Sequence, residues 1–236
     1  MPTTTPLTDA INALTQYANE TTGASDTTLS DAVGTLVAGY GGGGGYSIDE
    51  FADGSITGDI TITATNIRER AFKATNVTVV AAPNVTLLRE QIFNSCTLLT
   101  KISFPSAASC NSSQQFLGCS ALTDVNLPQL AVPAGNMFQA CTNLEIVDFP
   151  AVTRMNVSRV FYGCYKLKTL ILRQTSVVSL NNDTLGNTPF DGYNGLSGTV
   201  YVPQSLISSY QTAANWSTLY SGGHCTFAAI EGSQYE

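Results

Sequence analysis

Residues 93–173 state one pattern four times: FNSCTLLTKISFP from Phe93, FLGCSALTDVNLP from Phe116, FQACTNLEIVDFP from Phe138 and FYGCYKLKTLILR from Phe161. The shared form is F-x-x-C-x-x-L-x-x-[IVL]-x-[FL]-P, and its Phe positions advance by 23, 22 and 23 residues. A degenerate copy with one residue deleted surrounds Phe72 (AFKATNVTVVAAP), and a later copy begins near Phe190 and runs through Leu196 to VYVP at 200–203. One such coil is too short to bury its own apolar face, so the pattern makes a core only if successive coils stack. Stacking places Phe72, Phe93, Phe116, Phe138 and Phe161 in one column, and Leu99, Leu122, Leu144 and Leu167 in a second. Ile102, Val125, Val147 and Leu170 form a third, and Phe104, Leu127, Phe149 and Leu172 a fourth. Burial of each such side chain contributes roughly 1.5–3 kcal/mol before entropy, so these columns dominate the folding free energy. Pro105, Pro128 and Pro150 follow the apolar strand positions, where a missing N–H ends a ladder.

The short period with L-x-x-[IVL]-x-[FL] resembles the leucine-rich-repeat class, in which each coil contributes a short strand paired in parallel with the next. The expected fold is therefore a leucine-rich-repeat solenoid of short parallel strands stacked coil on coil. Cys96, Cys119, Cys141 and Cys164 each lie three residues after the Phe and form a further column. One cysteine per coil, with no C-x-x-C, reads as a buried thiol ladder rather than a metal site or a disulfide framework. Cys110 and Cys225 fall outside that register. The full unit resembles the BspA-like leucine-rich repeat, and GTVYVPQSLISSYQTAANWSTLY at 198–220 is similar to that family's C-terminal closure. The resemblance covers about 60–230, departs from the pattern at Thr75 and Arg173, and implies adhesion or host contact without naming a ligand.

Open stacks need covered ends. From about 203, Leu206, Ile207, Tyr210 and Ala214 are spaced for a short amphipathic helix, with Trp216 in the core of a C-terminal helical cap. At the front, SITGDITITAT at 55–65 alternates as a leading strand. Residues 1–40 have a different composition: Thr5-Pro6 starts one helical pattern through Leu7, Ile11, Leu14 and Ala18, and Thr28–Asp31 resembles a capping box before a second. These residues are expected to form a small α-helical N-terminal segment that anchors or oligomerises the chain, because two such short helices need a partner. Gly41–Gly45 read as a flexible linker, and the repeat domain is expected over 46–236. The run LTDAINALTQYANETTGASDTTLSDAV resembles N-terminal stretches of phage and prophage tail-associated proteins.

Function classes narrow on composition. Of 236 residues only 11% are charged, with a net charge of −7, which disfavours nucleic acid as a partner. No run is apolar enough for membrane insertion, and the N-terminus carries no Sec signal pattern. His224 is the only histidine and sits in a Gly-rich turn, so catalytic triads, zinc sites and bound cofactors are not expected. Asp124 and Asp148 share a strand offset, but acids at variable outward positions are usually solvated. The chain therefore reads as a non-enzymatic binding module, with host cell-surface protein or polysaccharide as partner and a phage or prophage virion as its place. A bacterial cell-surface adhesin, or a purely structural solenoid, are the other readings. The expected contact residues are the outward strand positions Lys101 and Ser103, Asp124 and Asn126, Ile146 and Asp148, and Thr169 and Ile171.

Overall fold

The computed structural model describes residues 57–236 apart from 63, 64, 68 and 156. The expected helices of 1–40 and the glycine linker lie outside the described residues.

Strand periodicity and turn chemistry meet in each coil. The main strands are β1 (Thr57–Thr61), β2 (Asn76–Ala81), β4 (Lys101–Ser103), β6 (Asp124–Asn126), β7 (Ile146–Asp148), β9 (Thr169–Ile171), β11 (Gly198–Val202) and β12 (Cys225–Ala229). They pair in parallel as two four-stranded sheets, β1-β2-β4-β6 and β7-β9-β11-β12. Register follows the repeat: Val80 opposes Ile102, Ile102 opposes Val125, and Val147 opposes Leu170. The amide after the strand continues the ladder, with Phe104 N donating to Asn126 O at 2.9 Å and Phe149 N to Ile171 O at 3.0 Å. The following Pro105, Pro128 and Pro150 have no N–H to extend it. Shorter strands on a flanking side, β3 (Leu87–Leu88) with β5 (Ser109–Cys110) and β8 (Arg154–Met155) with β10 (Ser179–Leu180), were not expected from the sequence.

All four columns lie in the core except that Val125 is only partly buried, where the ladder is interrupted between β6 and β7. The Phe rings stack nearly parallel, with centroids 5.1 Å apart for Phe72–Phe93, 5.7 Å for Phe93–Phe116, 5.4 Å for Phe116–Phe138 and 5.6 Å for Phe138–Phe161. Cys96, Cys119, Cys141 and Cys164 are buried and free. Each thiol donates to the Phe carbonyl of the preceding coil, at 2.8 Å to Phe72, 3.1 Å to Phe93, 3.2 Å to Phe116 and 3.0 Å to Phe138. Cysteine thus supplies a compact apolar group and a weak donor that ties coil to coil. Thr75, at the Cys position of the first copy, donates its hydroxyl to Phe72 O at 2.9 Å.

The turn around each Phe carries left-handed residues two positions before and two after it: Gln91 and Ser95, Gln114 and Gly118, Asn136 and Ala140, Arg159 and Gly163. This alternation aims N–H groups at the next coil; Ser95 N reaches Leu117 O at 2.7 Å and Ala140 N reaches Tyr162 O at 2.9 Å. A Cβ on Gly163 would meet nothing closer than 3.8 Å, so substitution there tests the backbone alone. Gly163→Ala is expected to lower stability by about 1 kcal/mol and Ala140→Gly, at φ 60°, to raise it by a similar or smaller amount, read as opposite shifts of the urea midpoint.

Burial also sets a pH dependence. Desolvation pushes the thiols of Cys110 and Cys225 up to about 12 and those of Cys141 and Cys164 well above the ordinary 9.0. Unfolded thiols ionise first, so the unfolded chain binds fewer protons above pH 9 and stability falls as pH rises from 9 towards 12. The expected slope is about 1.4 kcal/mol per pH unit for each such thiol, and urea titrations across that window check it.

At the C-terminal end the expected single helix is two short ones, α1 (Ile207–Thr212), entered through a 3₁₀ turn at Gln204–Leu206, and α2 (Trp216–Ser221). Trp216 and Tyr210 are fully buried against Phe227 of β12, with centroids at 5.9 and 5.4 Å. They face an edge of backbone: Tyr210 Oη accepts from Val178 N at 3.0 Å, Trp216 Nε1 donates to Val178 O at 2.6 Å, and Asn215 Nδ2 donates to Leu180 O at 2.6 Å. Side chains thus stand in for a further strand beside β10. In the last copy Tyr193 occupies the Cys position but is only half-buried. It stacks on Tyr165 at 4.7 Å, and Leu196 is left 49% exposed.

Candidate binding face

Alternation in three-residue strands turns the central side chain inward and its two neighbours outward. On β4, β6 and β7 this holds: Lys101, Asp124, Asn126 and Ile146 are exposed, and Ser103 and Asp148 half-buried. Ladder pairing sets Lys101 beside Asp124 and Ser103 beside Asn126. The Lys101 Nζ to Asp124 Oδ2 distance is 2.5 Å, and Asn126 Nδ2 donates to Ser103 Oγ at 2.9 Å. The ion pair is half exposed on both sides, so it contributes little stability. Asp148 is held by Arg173 through Nε at 3.1 Å to both oxygens and Nη2 at 2.8 Å to Oδ2. Hydrogen bonding to that carboxylate raises the Arg173 pKa above its ordinary value. Arg173 replaces the repeat's Pro, and this fork-to-carboxylate contact is what the replacement does.

Thr169 and Ile171 correct the sequence reading: both are buried, at 8% and 2% exposure. Their own strand cannot reveal this, because their cover comes from neighbouring coils. Thr169 is flanked in the sheet by Ile146 and Thr199, and Ile171 by Asp148 and Tyr201. Asp148 is clamped by Arg173, and the Tyr201 ring meets Tyr235 edge-on at 4.6 Å. The outward face therefore spans exposed Lys101, Asp124, Asn126 and Ile146 and half-buried Ser103 and Asp148, with Lys168 and Glu145 paired at 3.0 Å.

His224 packs on Gly192, where a Cβ would come within 2.5 Å of the imidazole. Among the described residues no group of three or more His, Cys, Asp or Glu side chains is placed to hold a metal, and no helix is long and apolar enough to cross a membrane.

Residues 59–196 match the model of the BspA type leucine-rich repeat region in six copies. The chain belongs to this BspA-type leucine-rich-repeat family. Two solved structures are similar to it. A leucine-rich repeat protein from Bacteroides ovatus shares 20% identity at a TM-score of 0.47, covering 61% of this chain and 37% of that one. A leucine-rich cell surface protein from Faecalibacterium prausnitzii shares 23% identity at a TM-score of 0.41, covering 60% and 43%. The chain thus spans less than half the length of either. No curated protein matches it. Six BspA-type copies agree with the six units counted from Phe72 to Pro203, although the matched span begins earlier, at the leading strand β1.

Proposed function

We propose that this chain is a non-enzymatic binding module of adhesin type, which meets a surface protein or polysaccharide through the face of β4, β6 and β7. The observation that carries the reading is the exposure of Lys101, Asp124, Asn126 and Ile146, with half-buried Ser103 and Asp148 among them, on consecutive coils, Lys101 and Ser103 being paired with Asp124 and Asn126. Repeated coils make such a face long and graded, which suits an extended ligand. Membership of the BspA-type family supports the binding role, and a bacterial cell surface is the place consistent with it. A phage or prophage particle is the second reading, supported by the resemblance of residues 1–40 to tail-associated proteins. That segment would then dock the solenoid on the particle or gather several copies of it.

Replacing Lys101, Asp124 and Asn126 together with Ala tests the face, because all three are exposed and none of them holds the core. Adsorption of the labelled protein to bacterial cells is expected to fall at least about tenfold, on the order of 1.4 kcal/mol, while the urea midpoint stays in place. Unchanged adsorption by the folded variant would remove the face from the proposal. Immunolabelling of intact cells against purified particles separates the two carriers.

A further inference from the structure

Among the four regular copies the repeat breaks its period once. Pro105 is followed by Phe116 and Pro150 by Phe161, but Pro128 is followed by Phe138, one residue sooner. That missing residue lies on the side of the coil where its neighbours form short strands. β5 of the preceding coil pairs only with β3, and β8 of the following coil only with β10. Between them the short coil, with Pro133 lacking an N–H, makes no strand, though Ala131 N donates to Ala108 O at 3.2 Å and Ala131 O accepts from Thr153 N at 2.9 Å. A groove of about 430 Å³ opens over it, lined by Ser109, Asn111 and Ser112 of the preceding coil, Val132 and Pro133 of the short coil and Arg154 of the following one. This lies within the roughly 300–1,000 Å³ range of small-ligand clefts.

The chemistry of the lining is specific. Among the described residues Arg154 is the only charged one that lines the groove, and it is exposed. Among the described residues Lys101, Arg159, Lys168 and Arg173 are each paired with a carboxylate within the chain, whereas Arg154 shares with Arg70, Lys73, Arg89 and Lys166 the lack of such a pair, and it is the one of these five that lines the groove. A guanidinium presents a planar fork that matches a carboxylate. The preceding coil offers two hydroxyls and an amide, groups that both donate and accept and so suit a polyhydroxylated ligand. Among the described residues no aromatic ring lines the groove to favour a flat apolar ligand. We infer that this groove binds a carboxylate-bearing sugar, a uronic acid unit of a surface polysaccharide, with Arg154 on the carboxylate and Ser109, Asn111 and Ser112 on the hydroxyls.

The inference rests on the binding role and places a second contact away from the β4–β6–β7 face. The full chain is titrated with trigalacturonate, with maltotriose as a neutral α-1,4-linked trisaccharide, and with a triglutamate peptide, followed by calorimetry and by amide NMR shifts. The expected result is trigalacturonate binding that shifts residues 109–112 and 131–135, at least tenfold tighter than maltotriose, and weakened about tenfold by Arg154→Gln. Cys110 gives an independent readout. It lines the groove and is half-buried, while the other five thiols are at most 1% exposed, so bound trigalacturonate should slow its alkylation. Equal affinity for maltotriose, tighter binding of triglutamate, shifts elsewhere, or no binding would each overturn the assignment. The Lys101, Asp124 and Asn126 variant should leave trigalacturonate binding unchanged. Loss of adsorption in that variant alone, with no trigalacturonate binding by the parent, would sink the groove and keep the face.

Discussion

Phe116→Ala is expected to destabilise the solenoid by about 3–5 kcal/mol, and urea denaturation followed by circular dichroism measures it. The ring is fully buried and stacked on both faces, by Phe93 at 5.7 Å and by Phe138 at 5.4 Å, while the Phe104 edge meets it at 6.0 Å. Truncation loses transfer energy, opens a cavity that two rigid neighbouring coils cannot collapse, and removes three ring contacts together. A solenoid is held by contacts between successive coils, so a defect in a central coil also uncouples the halves on either side. The loss should therefore broaden the transition. Phe72→Ala provides the internal comparison, because Phe72, stacked on Phe93 at 5.1 Å, lies in the first copy, towards one end of the stack. It should cost distinctly less. A Phe116→Ala loss below about 1.5 kcal/mol, or one no larger than that of Phe72→Ala, would show that the aromatic column does not carry the stack.

The residues that repeat were legible, and those that interact across coils were not. Phe93 and Cys96 announce their places by recurrence, and both are fully buried in the columns assigned to them. Thr169 and Ile171 read as outward because alternation within one strand sees only that strand. Their cover comes from the Phe138 coil, from Tyr201 and from the C-terminal tail, which no periodicity connects to them. Arg173 was visible only as a departure from Pro, and its meaning lies in Asp148, twenty-five positions earlier. The side groove left a trace in the sequence, the single 22-residue advance from Phe116 to Phe138, but a shortened coil becomes a cleft only when both neighbours keep their strands.

Trp216→Ala should produce the second large effect, again about 3–5 kcal/mol, but confined at first to one end of the molecule. Trp216 is fully buried, edge-on to Tyr210 at 5.5 Å and to Phe227 at 5.9 Å, and its indole N–H reaches Val178 O at 2.6 Å. Removing it loses the packing that joins α1, α2 and β12, and strips a partner from a carbonyl at the open edge of β10. Trp216→Phe separates these contributions. It keeps most of the aromatic volume and leaves the Val178 carbonyl without its donor, an expected loss of about 1–3 kcal/mol. Native-state hydrogen exchange locates the damage. Amides from Val178 to Leu180 should lose protection in both variants, whereas those of the Phe93 and Phe116 coils should keep theirs, since stability in a stack of coils is local before it is global. If Trp216→Phe matched the parent within about 0.5 kcal/mol and left exchange at Val178 unchanged, the indole would be packing alone. The edge of the last full coil would then be held by Tyr210 and Asn215 without it. Uniform loss of protection across all coils in Trp216→Ala would instead make the C-terminal helices part of one cooperative unit with Phe116, so that the two largest predicted effects would share a single unfolding event.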